Sequence, residues 1–143
     1  MPYWRIFFHL VWGTKNRELL IDEAREGLIQ QSVRATCDEQ GVTIHGLGMM
    51  PDHVHLVVAV PPRIAVADLM RLLKGSSSHL INHQGRSTIT ERFFWQEEYG
   101  VLSFGERSLV DVVAYVENQR EHHARNTILP VFEKLERPYE KKR

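Results

Sequence analysis

The stretch from Met49 to Val58 constrains the fold most, because it has the pattern of a turn followed by one short strand. His53 and His55 are separated by a single residue, and side chains at positions i and i+2 of a strand point to the same face. Pro51-Asp52 before the strand favours a turn, and Pro61-Pro62 after it cannot continue a hydrogen-bonded ladder. The sequence therefore predicts a sheet that carries two imidazoles on one face, near the start of a strand. The residues that alternate with the histidines are apolar and form the other face: Val54, Leu56, Val58 and Val60.

A histidine pair on one strand face has several interpretations, and the pair alone leaves them open. It is typical of a metal site or of a proton-transfer pair, and it also occurs as two solvated histidines. A disulfide framework and a cysteine-based zinc site are excluded, because Cys37 is the only cysteine. Cys37 lies in a predicted helix, where we expect it to be a small buried residue.

Composition restricts the class of protein. The chain has 143 residues, 43% hydrophobic and 25% charged, which is typical of one soluble globular domain. No apolar run approaches the ~18–20 residues that a membrane span requires, so we expect a cytoplasmic protein without a membrane partner. The net charge is zero, which argues against binding duplex DNA through a broad basic face. Local basic clusters remain open: Lys15 with Arg17, and Arg71 with Lys74.

The order of the predicted elements indicates the fold class. Strand, helix, strand, strand, helix, strand is the split βαβ, ferredoxin-like arrangement of an α+β protein, an antiparallel sheet with helices on one face, and here a third helix follows. The second helix contains four poor helix formers in a row, Gly75-Ser76-Ser77-Ser78, which break its apolar pattern. They indicate a kink, a place where the backbone and hydroxyls contact a ligand, or a locally weak helix. The predicted elements are strand 3–14, a helix from the N-cap Asp22 to Gln40 with Gly41 beyond it, strand 42–50, the histidine strand, helix 65–83, short strands at 93–96 and 99–104, and a last helix opening at Ser108.

The last helix carries a second set of polar side chains. Tyr115, Gln119 and His122 fall on a stripe roughly 100° from its apolar stripe. The Gln119 amide oxygen and two imidazoles would give three protein ligands, a mixed nitrogen and oxygen set that suits Mn²⁺ or Mg²⁺. The Tyr115 phenol is then a candidate nucleophile, because a nearby cation favours the phenolate. Packing is the alternative role for Tyr115 on an amphipathic helix.

Five segments with these residues occur in a fixed order between residues 3 and 126. They are Leu10-Val11-Trp12-Gly13-Thr14-Lys15, Met50-Pro51-Asp52-His53-Val54-His55-Leu56, Leu73-Lys74-Gly75-Ser76-Ser77, Phe94-Trp95-Gln96 with Tyr99, and Tyr115-Val116-Glu117-Asn118-Gln119 with His122-His123. In this order they resemble the single-tyrosine HUH transposases of small bacterial insertion sequences. The resemblance implies that Tyr115 is the nucleophile, that His53, His55 and Gln119 bind the metal, and that Lys74 contacts a phosphate or activates the tyrosine. The candidate DNA contacts are Lys15, Arg17, Arg71, Lys74, Ser76 and His122.

The resemblance also implies a mechanism and an assembly. Such enzymes recognise hairpins near element ends on single-stranded DNA, cut one strand to form a 5′-phosphotyrosine with a free 3′-OH, and rejoin exchanged ends with the help of Mg²⁺ or Mn²⁺. The expected assembly is a homodimer in which the tyrosine helix of one subunit completes the histidine site of the other. Residues 1–126 would be the single HUH domain, and 127–143 a tail that docks on a partner subunit or covers a sheet edge.

Three other functions remain open from the sequence. A REP-associated tyrosine transposase would use the same chemistry on palindromic repeats of the host genome, often as a monomer. A ferredoxin-like nucleic-acid-binding module would have the histidine pair without catalysis. A small metal-dependent phosphodiesterase would use water as nucleophile and form no covalent adduct.

Overall fold

The computed structural model describes residues 2–84, 87–125 and 128–135. Across these ranges, every helix is too short or too polar to span a lipid bilayer. The predicted boundary at residue 126 and the end of the tail, 136–143, lie outside the described residues. In chain order the elements are β1 (Phe7–Gly13), α1 (Glu23–Gln40), β2 (Thr43–Met50), β3 (His53–Ala59), α2 (Val66–Gln84), β4 (Gly100–Phe104), α3 (Leu109–Glu117), α4 (Gln119–Arg125) and α5 (Pro130–Glu133), with short 3₁₀ helices at Lys15–Arg17 and Glu106–Ser108.

The four strands form one sheet in the order β2-β3-β1-β4, and every neighbouring pair is antiparallel. α1 connects β1 to β2 and α2 connects β3 to β4, strands that are not neighbours in the sheet. This is the order of the ferredoxin-like split βαβ fold. The predicted α+β fold class is therefore confirmed.

α1 and α2 cover the sheet face opposite the histidines, as the alternation in β3 predicts. The side chains of this layer are almost completely removed from water, which is the main source of folding free energy. Its fully buried members include Leu10 and Trp12 of β1, Val54, Leu56 and Val58 of β3, Ile29 and Val33 of α1, and Leu69 and Leu73 of α2.

The other face carries the histidines and is covered by α3, α4 and the residues 128–135, which we call the C-terminal segment. Val57 of β3 packs there with Val112 and Val116 of α3 and with Phe132. The register places Gly13 opposite His53 and Gly48 opposite His55. Gly48 lets the α3 backbone at Val116 approach the sheet, and Gly13 leaves room for the Leu135 side chain. The third predicted helix thus lies across the sheet from the other two.

The ends of α1 are as the sequence predicts. The Asp22 side chain accepts a hydrogen bond from the backbone N–H of Arg25, the N-cap arrangement. Gly41 ends the helix with φ +71°, in the left-handed region that glycine adopts without strain. Cys37 is fully buried in this helix, as expected.

Three local predictions differ from the structure. α2 is continuous through Gly75–Ser78. The hydroxyls of Ser76 and Ser77 donate hydrogen bonds to the backbone carbonyls of Leu72 and Leu73, each at 2.7 Å, and so remain within the helix. The expected strand at 93–96 contributes only an isolated bridge between Thr14 and Trp95. The single last helix is interrupted at residue 118, so Tyr115 lies on α3 and Gln119 begins α4.

Candidate active site

The two predicted histidines lie together on the sheet face that α3 covers. His53 and His55 are 1% and 0% exposed, and their ring centroids are 5.0 Å apart. The Asp52 carboxylate lies 2.6 Å from Nδ1 of His53, which favours the tautomer protonated at Nδ1 and leaves Nε2 as a free lone pair. Burial raises the pKa of Asp52, but the hydrogen bond with His53 and the charge of Arg17 outweigh it and lower the pKa to about 2.

His55 is oriented by a third histidine, His9, which the sequence analysis missed and which contacts the ring nitrogen that faces away from the site. Nε2 of His9 lies 2.7 Å from Nδ1 of His55, and both rings are buried and stacked. Burial, with the neighbouring His55, lowers the pKa of His9 to about 3, so His9 is neutral at physiological pH. Burial also lowers the pKa of His55. With Nδ1 held by His9, Nε2 of His55 is the ring nitrogen that faces the site.

Glu133 of the C-terminal segment, which the sequence did not indicate, lies in front of both histidines. Its Oε2 is 3.0 Å from Nε2 of His55 and 3.4 Å from Nε2 of His53. Burial raises the pKa of Glu133, but the hydrogen bond with His55 and the surrounding groups lower it to about 2. The carboxylate is therefore ionised at neutral pH.

Tyr115 reaches the same carboxylate from α3. Its hydroxyl donates to Oε1 of Glu133 at 2.7 Å and accepts from the backbone N–H of Leu129 at 2.9 Å. The Tyr115 ring lies 6.2 Å from the His55 ring, measured between centroids. It stacks on the His122 ring, with the centroids 4.5 Å apart. Burial and the neighbouring carboxylate raise the pKa of Tyr115 to about 12. In this arrangement the phenol is protonated at neutral pH.

Gln119 is buried near the histidines, but its side chain bonds to other groups. Its Oε1 lies 3.2 Å from Nε2 of His123, and its Nε2 donates to the backbone carbonyl of Tyr115 at 3.2 Å. The His123 ring lies against His53 at 5.0 Å between centroids. Among the described contacts, none joins Gln119 directly to His53 or His55.

The chemistry of these residues fits a divalent cation. His53, His55 and Glu133 each offer one ligand atom, and these atoms lie within 4.8 Å of one another. Nε2 of His53 is buried without a hydrogen-bond partner within the described part of the chain, so its lone pair is available to a cation. Two imidazoles and a carboxylate suit Mn²⁺ and accept Mg²⁺ less readily, since Mg²⁺ prefers more oxygen.

One predicted DNA contact lies beside the histidines and another lies on an aromatic ring. Arg17 donates from Nε to Asp52 at 3.2 Å, and its Nη2 is 3.3 Å from Nδ1 of His53. The Lys15 ammonium lies over the ring of Phe94, 5.4 Å from its centroid. Lys15 and Arg17 thus follow β1 at the edge of the site.

The predicted contacts on α2 lie elsewhere. Lys74 donates from Nζ to the carbonyls of residues 96, 97 and 98 at 2.7, 2.8 and 2.9 Å. Burial lowers its pKa. The Ser76 hydroxyl donates to Leu72 within α2. No described contact brings Lys74 or Ser76 to the histidines or to Tyr115. Arg71 and Lys74 line a depression of about 470 Å³ together with Phe94, Trp95 and Tyr99.

The fold and the paired histidines define a class, the HUH-type tyrosine transposases, and comparison with known proteins assigns the family. The model of the family described as "Transposase IS200 like" matches residues 2–119. The chain belongs to this family, and the resemblance noted from the sequence is confirmed.

Curated relatives include two transposases. The chain is 27% identical over 122 residues to the ISDra2 transposase TnpA of Deinococcus radiodurans, which covers 82% of this chain and 86% of that protein. It is 26% identical over 121 residues to the transposase for insertion sequence element IS200 of Salmonella typhimurium, covering 82% of this chain and 79% of that protein.

Two solved structures are similar in fold. A crystal structure of a candidate transposase from Deinococcus radiodurans has a TM-score of 0.63 and 29% identity, and the match covers 82% of this chain and 93% of that chain. A REP-associated tyrosine transposase bound to a REP hairpin has a TM-score of 0.66 and 13% identity, covering 86% of this chain and 72% of that chain. At 13% identity the second comparison shows the fold alone.

Proposed function

We propose that this transposase cleaves and rejoins single-stranded DNA at hairpin-marked element ends through a 5′-phosphotyrosine at Tyr115. One observation carries the proposal: the Tyr115 hydroxyl and both site histidines lie within reach of the same carboxylate, Glu133. A nucleophile and a candidate cation site are thereby adjacent, which is the arrangement that nucleophilic phosphoryl transfer needs.

The proposed cleavage balances without an external energy source. The Tyr115 oxygen attacks phosphorus and loses its proton, the bond from phosphorus to O3′ breaks, and O3′ leaves as a hydroxyl after taking up a proton. The phosphotyrosine ester resembles the bond that was broken, so a 3′-OH can reverse the step without ATP. A bound Mg²⁺ or Mn²⁺ would supply Lewis-acid polarisation of the phosphate, and we propose His53, His55 and Gln119 as its ligands.

The residues around the tyrosine have distinct proposed roles. Asp52 and His9 fix the rings of His53 and His55 so that each Nε2 faces the phosphate site. Burial of Tyr115 excludes competing water. Because its pKa is raised to about 12, the phenol stays protonated and unreactive until DNA and cation change its surroundings.

We propose that DNA lies on the cation-bearing surface around Phe94. This ring is 47% exposed, and Lys15 and Arg92 lie over it at 5.4 and 5.6 Å from its centroid. Exposed aromatics with nearby cations suit unpaired bases, since stacking is tolerant of sequence. Lys74 also holds the loop 96–98. The proposed DNA contacts are Lys15, Arg17, Arg71, Lys74, Ser76 and His122.

The central experiment incubates the protein with single-stranded hairpin DNA labelled at its 3′ end and Mn²⁺ or Mg²⁺, followed by a denaturing gel. We expect a slowly migrating protein–DNA band that Tyr115→Phe abolishes, because phenylalanine has no nucleophilic oxygen. His53→Ala and His55→Ala should lose it too. Tyr3→Phe, at a tyrosine that is 88% exposed, is the matched control and should keep the band.

The same gel separates the alternatives. Cleavage that survives Tyr115→Phe without an adduct would mean that water is the nucleophile, as in a phosphodiesterase. Binding without any cleavage would indicate a nucleic-acid-binding module. Preference for palindromic repeats of the host over element ends would indicate the REP-associated function.

The proposal includes the homodimer with a shared tyrosine helix that the resemblance implies. Within one chain Tyr115 already lies beside its own His55, so the exchange has to be tested. A mixture of His55→Ala and Tyr115→Phe proteins should recover cleavage if subunits complete each other's sites, since each variant supplies what the other lacks. A mixture as inactive as its components would show that each site is completed within one chain.

A further inference from the structure

The C-terminal segment is fitted closely onto the histidine face. Phe132 lies edge-on to His9, with ring centroids 5.1 Å apart, and 5.0 Å from the Tyr115 ring. An added Cβ at Gly100 would lie 1.8 Å from the backbone oxygen of Lys134. At Gly13 it would lie 3.0 Å from the Leu135 side chain. Glycine at these strand positions is therefore what lets the segment dock.

Docking places one carboxylate between two functional groups. The Glu133 side chain is 14% exposed. Its Oε2 faces Nε2 of His53 and of His55, and its Oε1 accepts the Tyr115 hydroxyl hydrogen. One carboxylate oxygen therefore contacts the histidine pair, and the other contacts the nucleophile.

The separations around Oε2 are those of a ligand set. Ligand atoms about 2.1 Å from an octahedral cation are about 3.0 Å from their neighbours, and Oε2 lies 3.0 and 3.4 Å from the two imidazole nitrogens. A hydrogen-bond network alone leaves Nε2 of His53 unused, because that nitrogen is buried and has no hydrogen-bond partner in the described ranges. A shared cation would use all three atoms.

We propose that Glu133 supplies a carboxylate ligand to the cation of the histidine pair, so that the docked C-terminal segment completes the metal site. The identity of the cation rests on the proposed function, whereas the ligand role rests on the contacts of Glu133. The opposite role is also testable: a carboxylate that only fills the cation's place would compete with metal, and its removal would strengthen metal binding.

The test measures Mn²⁺ binding by the metal-free full chain, followed by the electron paramagnetic resonance signal of free Mn²⁺. Glu133→Gln keeps the size of the side chain and an acceptor for Tyr115 but removes the charged ligand. We expect it to raise the Kd for Mn²⁺ at least about tenfold. Glu39→Gln removes the same charge from the exposed side of α1 and should bind Mn²⁺ as the unchanged chain does. Unchanged or tighter binding by Glu133→Gln would overturn the proposal.

A second variant displaces the segment without altering Glu133. Gly100→Ala forces a Cβ to within 1.8 Å of the backbone oxygen of residue 134 and 2.8 Å of the Val11 side chain. We expect the same direction of loss in Mn²⁺ binding, while circular dichroism checks that the sheet stays intact beside Val11. Gly105→Ala meets open space and is the matched control. If folded Gly100→Ala bound Mn²⁺ as tightly as the unchanged chain, metal binding would not depend on docking of the C-terminal segment. Because the readout is metal binding, loss of the tyrosine adduct alone would defeat the proposed function and leave this inference standing.

Discussion

At the residue scale, both site imidazoles have the same design: one ring nitrogen is held by the protein and the other faces the site. Asp52 holds His53, and His9 holds His55. Such outer partners fix the ring orientation and the tautomer, and they make the ligating nitrogen more basic. Metal affinity should therefore depend on residues that never touch the metal.

Asp52→Asn tests this dependence. The amide keeps the shape of the side chain but loses the charge that fixes the His53 tautomer, so we expect the Kd for Mn²⁺ to rise by about 10–100-fold. Isothermal titration calorimetry of the metal-free protein measures it. Asp38→Asn, at an exposed position of α1, is the control, and equal affinities for the two variants would show that Asp52 does not orient the ring.

The residues that sequence reasoning found and missed differ in the range of their contacts. His53 and His55 are recognisable because strand periodicity is local. His9 contacts His55 across 46 positions and Glu133 contacts it across 78, and no local pattern reports such pairs. For His9 the local signal is that it alternates with Phe8 and Leu10 along the first strand. For Glu133 the local signal is the preceding apolar patch of Ile128, Leu129, Val131 and Phe132, which indicates that the tail packs but assigns no role to the carboxylate.

At the element scale, the placement of the nucleophile depends on how closely α3 approaches the sheet. Gly48 lies opposite His55 in the register, and the carbonyl of Val116 on α3 sits against it. Tyr115 is the neighbour of Val116 in sequence, so the glycine sets the distance from the phenol to the histidines.

Gly48→Ala should move the helix. Its Cβ would lie 1.9 Å from the Val116 carbonyl oxygen, and such overpacking costs about 1–3 kcal/mol. Urea denaturation measures that loss, and the yield of tyrosine adduct should fall with it. Gly75→Ala, in open space on α2, should instead stabilise the protein by about 0.5–1 kcal/mol. A Gly48→Ala protein as stable and active as the unchanged chain would contradict this packing.

Element boundaries were predictable where a cap residue marks them. Asp22 and Gly41 mark both ends of α1 because their chemistry is local. The predicted interruption at Gly75–Ser78 is wrong, because serine hydroxyls can bond to carbonyls one turn back within a continuous helix. The alternatives of a ligand contact or a locally weak helix stay predictions. The break after Glu117 was not predictable, because neither a proline nor a glycine marks it in the sequence.

At the scale of the whole molecule, the proposed DNA surface extends from Arg17 and His122 at the histidine face to a second region beside α2. The histidine face is buried beneath α3 and the C-terminal segment, whereas Arg71, Lys74 and Phe94 line a depression beside α2. Because the net charge is zero, the proposed phosphate contacts depend on local groups of cations, and each contact should be visible in the salt dependence of binding.

Arg71→Gln should reduce the slope of log affinity against log salt by about 0.7–0.9, the contribution of one phosphate contact. Fluorescence anisotropy with a labelled hairpin between 50 and 200 mM salt, the range in which such slopes are about linear, measures it. Arg34→Gln, on the exposed side of α1, should leave the slope unchanged. Equal slopes for both variants would remove Arg71 from the DNA surface.

The strand order was predictable from the alternation of elements, because crossover rules leave few topologies for this pattern. The position of the tail was not, since docking of residues 128–135 depends on the fit of one backbone against glycines far away in sequence.

Mass spectrometry of the protein after incubation with single-stranded hairpin DNA and Mn²⁺ tests most directly whether Tyr115 forms a covalent bond to DNA. We expect a mass increase equal to the 5′-phosphorylated downstream fragment less one water, located by proteolysis on the peptide that contains Tyr115. Cleaved DNA with no added mass on that peptide would contradict it.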